Sequence, residues 1–236
     1  MDRLDKLIAA SGKATRSEAK IWIRSGRVTA NGVPARSPEQ KFDAAADVIA
    51  VDGTPLDRAG RRYIMMHKPA GVLSATEDRE QRTVLDLLPE ELRRQRLFPV
   101  GRLDKDVTGL LILTNDGALA HALTAPKKHV PKTYRAEVDG VLDEADAAAF
   151  AEGLVLADGA RCRPAELELL APGAARVTVY EGKYHQVKRM FAARGKPVTA
   201  LHRERMGGLA LDESLPPGGW RELTDKDIVK MTESCQ

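Results

Sequence analysis

Asn31-Gly32 narrows the fold more than any other feature of the chain. In RVTANGVPA it stands between two short apolar segments. An Asn-Gly pair tolerates the left-handed backbone that both central residues of a two-residue β-hairpin turn require. Asp52-Gly53 repeats the pattern within VIAVDGTPL. Ahead of these hairpins, Leu4, Leu7 and Ile8 recur at helical spacing, and Gly12 suits the position just past a helix end. Thr15-Arg16-Ser17-Glu18 then reads as a capping box, in which Thr15 and Glu18 satisfy free amides at the start of a second helix. Ala19, Trp22 and Ile23 form the buried stripe of that helix, and Gly26 ends it. The first part of the chain is therefore two helices and a small sheet.

The second helix has a one-signed outer face. Arg16, Lys20, Arg24 and Arg27 recur every three or four residues, Lys13 precedes them, and in the sequence only Glu18 opposes them. Such a stripe is either a solvated face or a surface for phosphates. Two helices followed by hairpins, with a basic second helix, resemble the small RNA-binding domain first described in ribosomal protein S-four. The resemblance covers residues 1–58 and implies that Arg16, Lys20 and Arg24 contact RNA.

Residues 57–62 are polar and form the one plausible linker, after which YIMMHKPAGV opens a second domain, placed at 62–232. At roughly 150 residues per domain, 236 residues suit one large domain or one medium domain and a small one. The second region alternates strand-like runs (110–114, 133–138, 176–180, 198–201) with helical ones (144–151 and 184–193). Asn115-Asp116-Gly117 and Asp158-Gly159 read as tight turns, so the expected class is α+β with a mainly antiparallel sheet flanked by helices. A net charge of +3 permits a nucleic-acid partner without demanding one. Cys162 and Cys235 lie far apart, and no apolar signal region or run of membrane-spanning length is present. A cytoplasmic protein with reduced thiols and no membrane association is expected, and a monomer by default.

Chemistry concentrates in PVGRLDKDVTGLLILT, which sets Asp104 in a polar loop between apolar segments. From spacing alone, Asp104 and Asp106 do no more than solvate a turn. The histidines (His67, His121, His129, His185, His202) show no ligand spacing, and Gly207-Gly208 lies outside any phosphate-cradling frame. Neither a metal nor a cofactor is expected.

G-R-L-D followed by T-G-L-L closely resembles the catalytic motif of pseudouridine synthases. Three further segments agree in order and spacing: His67-Lys68-Pro69 with Gly71, Lys132-Thr133-Tyr134, and EGKYHQVKRMFAARGKPVTALHRERMGGLAL. The resemblance implies that Asp104 is the essential carboxylate, attacking the sugar as a nucleophile or removing a sugar proton. It also implies that Lys188 pairs with Asp104, that Tyr134 stacks on the target uracil and helps remove the proton from carbon 5, and that Leu201 packs on the other side of the base. Read from pattern alone, Tyr134 is a core aromatic and Lys188 and Arg189 a solvated or phosphate-facing pair. Arg102 is either a wedge that fills the space left by an extruded base or the partner of an acidic neighbour.

YHQVKRMFAA followed by LHRERMGGLAL most resembles the branch acting on small-subunit (16S) rRNA, within an assembling subunit. Large-subunit relatives more often carry asparagine where Tyr184 stands. Lys105 occupies a variable position of the motif. The rival readings are a large-subunit or transfer-RNA target, and an assembly factor that keeps the fold without catalysis.

Overall fold

The computed structural model describes residues 1–11, 13–43, 47–56 and 61–233. Gly12, most of the expected linker and Cys235 lie outside the described residues. The chain divides into two compact units, Met1–Arg62 with Leu85–Phe98, and Tyr63–Val84 with Pro99–Gln236.

In the first unit, helix α1 (Leu4–Ala10) buries Leu4, Leu7 and Ile8, as their spacing predicts. Helix α2 (Arg16–Arg24) starts at the expected capping box: the Thr15 hydroxyl accepts the Glu18 amide at 3.2 Å, and the Glu18 carboxylate accepts the Thr15 amide at 2.6 Å. Ala19 and Ile23 are fully buried, and Trp22 packs at the edge of the same core. Strands β1 (Val28–Ala30) and β2 (Val33–Pro34) form the first hairpin, and β3 (Ile49–Val51) and β4 (Thr54–Pro55) the second. Their order in the sheet is β2-β1-β3-β4. Asn31, Gly32, Asp52 and Gly53 all have φ between 50° and 79°, so both turns have the left-handed pair that type I′ hairpins need.

The basic stripe is not unopposed. Arg16 and Arg3 both donate to Asp5, whose side chain is buried beneath them, at 3.1 Å. Burial works to raise the Asp5 carboxyl, but hydrogen bonds from Arg3 and Arg16 outweigh it and hold it below the usual carboxylate range. Arg27 pairs with Asp52 across the second hairpin and lies over the Trp22 ring. Acids distant in sequence thus neutralise two members of the stripe, which helical spacing cannot reveal. Lys20 and Arg24 keep no ion-pair partner among the described residues.

The second unit is built on a nine-stranded sheet. Its main strands are β5 (Tyr63–Lys68), β6 (Thr108–Thr114), β7 (Lys132–Val138), β8 (Glu166–Ala171), β9 (Ala174–Val179), β10 (Val198–Met206) and β11 (Trp220–Glu222). They run in the order β8-β9-β7-β10-β6-β5-β11, and every neighbouring pair is antiparallel except β10 and β6. Ile64 to Met66 and Leu110 to Leu113 are buried as continuous apolar runs, which suits strands covered on both faces. With helices α3 (Gly117–Thr124), α4 (Glu144–Glu152), α5 (Gln186–Ala193) and α6 (Asp225–Glu233), the class is α+β.

Two sequence expectations are corrected here. Asn115-Asp116-Gly117 is no hairpin turn: the Asp116 carboxylate accepts the Ala118 and Leu119 amides at 3.0 and 3.2 Å and caps α3. GALAHALT hides that helix because alanine and leucine all round leave no polar-apolar period to read. The helix expected over 184–193 begins only at Gln186, since His185 adopts a left-handed φ of 48° that stops it. Among the described residues no helix is long and apolar enough to cross a membrane.

Candidate active site

Asp104 sits in the loop that feeds β6, and the backbone on both sides of it is pinned. The Ser74 hydroxyl donates to the Leu103 carbonyl at 2.8 Å and accepts the Leu103 amide at 3.1 Å. The Gly71 amide donates to the Lys105 carbonyl at 2.8 Å. Lys68, fully buried, donates from Nζ to the carbonyls of Pro69, Lys105 and Val107 at 3.0, 3.2 and 2.8 Å. The His67-Lys68-Pro69 segment therefore works as the clamp of the Asp104 loop, a role its sequence pattern did not specify. Gly109, in T-G-L-L, is required by close approach: a Cβ there would lie 2.6 Å from the Arg203 amide nitrogen on the parallel neighbour β10, with φ already at 106°.

Burial pushes the Lys68 ammonium down from 10.5 to about 8, against the opposing pull of Asp106 and Asp104. Because the folded value is the lower, the unfolded chain binds more protons between about 8 and 10.5. Stability from this group therefore rises with pH across that window and is lost as pH falls through about 8. Lys68→Met is expected to abolish this part of the slope of melting temperature against pH. It should also cost about 1–3 kcal/mol at neutral pH through carbonyls left without donors. Calorimetry from pH 7 to 10 checks both; an unchanged slope would remove Lys68 from this role.

The Asp104 carboxylate faces two basic side chains. Lys188 Nζ lies 3.5 Å from Oδ2 and His185 Nε2 3.4 Å from Oδ1. Lys188 is on α5, where Val187, Met190 and Phe191 are buried and fix the rotation of the helix. Its nearer partner is Asp106, both of whose oxygens it reaches, at 2.6 and 2.7 Å. That bond holds the Asp106 carboxyl below the usual range, although the side chain is largely exposed. Arg189 pairs with Asp158 instead, at 2.5 Å. The sequence does not single out His185: the five histidines invite a metal or acid/base role, but none has ligand spacing. The available signal was its place three residues before Lys188 in the same segment. Its ring stacks on Tyr184, with centroids 3.7 Å apart.

Asp104 lines a cleft of about 160 Å³ that also contains Arg102, Tyr134, Lys188 and Leu201. Tyr134 is half-buried on β7 at a register shift, where Thr133 faces Arg205 but Tyr134 faces Arg203. Such a bulge re-aims a side chain. Leu201 is buried on β10. Arg102 is exposed beside Asp104, and among the described residues no carboxylate pairs with it. The sheet thus brings together five of the side chains singled out in the sequence. Arg16, Lys20 and Arg24 belong to the first unit.

A carboxylate set between two basic side chains thus shares one cleft with an aromatic and an aliphatic side chain. Residues 62–193 match the RNA pseudouridylate synthase family and residues 2–49 the S4 domain. The chain belongs to the RNA pseudouridylate synthase family. It is 44% identical to the uncharacterized RNA pseudouridine synthase YtzG of Bacillus subtilis (strain 168), over 98% of each chain. It is 42% identical to ribosomal small subunit pseudouridine synthase A of Escherichia coli (strain K12), over 97% of this chain and 99% of that one. A crystal structure of a pseudouridylate synthase superposes with a TM-score of 0.70 at 39% identity, covering 98% of this chain and 100% of the other.

Proposed function

We propose that this protein converts one specific uridine of small-subunit (16S) rRNA to pseudouridine, with Asp104 as the essential carboxylate. The observation that carries the reading is Asp104 between Lys188 and His185, facing the same cleft as Tyr134 and Leu201. The similarity to a small-subunit synthase over nearly the full chain supports the choice of target. The reaction breaks the bond from N1 of uracil to the anomeric carbon and joins that carbon to C5, with no net redox change. Asp104 either attacks the anomeric carbon or removes a sugar proton. Tyr134 offers a flat face to the uracil and a polar tip near C5, Leu201 packs against the base, and Arg102 fills the space the extruded base leaves.

In this reading residues 1–58 bind RNA and residues 62–232 perform the chemistry, in the cytoplasm, as a monomer acting on an assembling small subunit. Lys20 and Arg24 are the free cations of α2, so Lys20→Gln with Arg24→Gln should flatten the salt dependence of RNA binding by roughly 0.7 per lost phosphate contact. Arg16→Gln should instead lower stability by about 1–3 kcal/mol, because buried Asp5 loses a charged donor. Binding isotherms at several salt concentrations, with melting curves, separate the two roles; an unchanged slope in the double variant would make the stripe a solvated face.

The deciding experiment maps pseudouridine in unmodified 16S and 23S rRNA, free and in ribonucleoprotein particles, after incubation with the protein. One new site in 16S rRNA is the expected result. A site confined to 23S or transfer RNA would keep the enzyme and overturn the target. No site anywhere would favour the assembly-factor reading.

A further inference from the structure

Arg203, on β10, lies in the wall of the same cleft and is 2% exposed. Its Nε donates to the Leu110 carbonyl at 2.8 Å, bracing the parallel pair of β10 and β6. Its Nη2 is buried without a partner, and among the described residues it is the one side-chain nitrogen or oxygen in that condition. Among the described residues no carboxylate forms an ion pair with it: Asp104 faces Lys188 and His185, while Glu181 accepts from Lys183, Gln186 and the Arg163 amide. A buried guanidinium with an unused donor and no counter-charge is costly. Such a group is retained where something entering the cleft supplies the acceptor.

We propose that Arg203 is a substrate-binding residue whose free guanidinium edge donates to a carbonyl oxygen of the target uracil, holding the charge the base acquires when its glycosidic bond breaks. The inference rests on the uridine-isomerase reading above. When N1 parts from the anomeric carbon, the electron pair of that bond stays on uracil, shared among N1 and the two carbonyl oxygens. The sugar is meanwhile held as an ester of Asp104, or as an unsaturated sugar whose proton Asp104 has taken. Ring electrons at C5 then form the new bond to the anomeric carbon. That bond displaces Asp104, or accompanies return of the sugar proton. The C5 proton leaves to a base and N1 gains a proton, so atoms and electrons balance.

Uracil geometry makes one fixed donor sufficient. Turning the detached ring about its N3–C6 line exchanges N1 with C5 and O2 with O4. A donor aimed at one carbonyl position therefore meets a carbonyl before and after the turn. The bond from Nε to Leu110 keeps the guanidinium from following the ring. Because a charged donor is worth most when the base is anionic, Arg203 acts mainly on the rate of the chemical step.

The test uses the RNA in which the mapped site lies, carrying uridine, 2-thiouridine or 4-thiouridine at that one position, under single turnover. Sulfur accepts hydrogen bonds poorly, so the wild-type protein should react more slowly with the thio-substituted RNAs. Arg203→Met should lower the rate on uridine RNA by roughly 10- to 100-fold at unchanged RNA affinity. In this variant the ratio of uridine to thiouridine rates should fall towards one. Arg203→Lys, which keeps a cation but loses the fork, should retain an intermediate ratio, and it carries the test if the methionine variant does not fold. A ratio that stays at the wild-type value in the variants would overturn the proposal and leave Arg203 as a strut for Leu110. Absence of any thio effect in the wild-type protein would overturn it equally. Failure of the wild-type protein to modify uridine RNA would instead reject the uridine-isomerase reading itself.

Discussion

Asp104→Asn is expected to abolish pseudouridine formation while RNA affinity stays at the wild-type level. An amide cannot act as a carboxylate nucleophile or take a sugar proton, so the loss should reach at least about 10⁴-fold in kcat, the scale seen when a group at the reacting atom is removed. RNA binding should survive because the cations proposed to face phosphate, Lys20 and Arg24, are other residues. The control is Asp106→Asn. Asp106 lies two residues on, is largely exposed, and holds Lys188 more closely than Asp104 does. Removing it should leave most activity and free Lys188 for Asp104. Single-turnover assays of both variants, with filter binding, check the pair. A rate near wild type in Asp104→Asn would remove that residue from its role, and equal losses in both would mean that charge in the loop, rather than one carboxylate, matters.

Lys188→Met should have the next largest effect. The cation stands 3.5 Å from Asp104 and is partly shielded from water, so its field on the developing charge is poorly screened. Losing one preorganised charged donor beside a reacting group costs roughly 10²–10³-fold in kcat. Methionine keeps a stem of similar length at this partly exposed position, so melting temperature should change little. Lys188→Arg keeps the charge but replaces a compact ammonium with a wider fork, and partial activity is expected. If Lys188→Met keeps full activity, His185 alone suffices as the basic partner of Asp104, and His185→Ala becomes the variant that stops the reaction.

Where structure depends on neighbours within a few residues, the chain could be read directly. The capping box of Thr15 and Glu18, the left-handed turns at Asn31-Gly32 and Asp52-Gly53, and the buried stripes of α1, α2 and α5 are of this kind. Their energetics close within one helical turn or one hairpin. Asp104, Tyr134, Lys188, Leu201 and Arg102 were legible through motif resemblance, and they do share a cleft.

What the sequence by itself determined is thus the local elements, the class of the fold and the identity of the loop that carries Asp104. Tertiary structure decided which charges meet: Asp5 neutralises Arg16, Asp106 competes for Lys188, and His185 reaches Asp104 across about eighty positions of chain. It also decided that Lys68 clamps the loop and that Arg203 keeps an unused donor in the cleft wall. The physical reason is that Asp5 meets Arg16 only through the packing of α1 against α2, while the contacts around Asp104 depend on strand order, above all on the parallel pairing of β10 with β6, and neither periodicity nor propensity encodes which elements lie side by side.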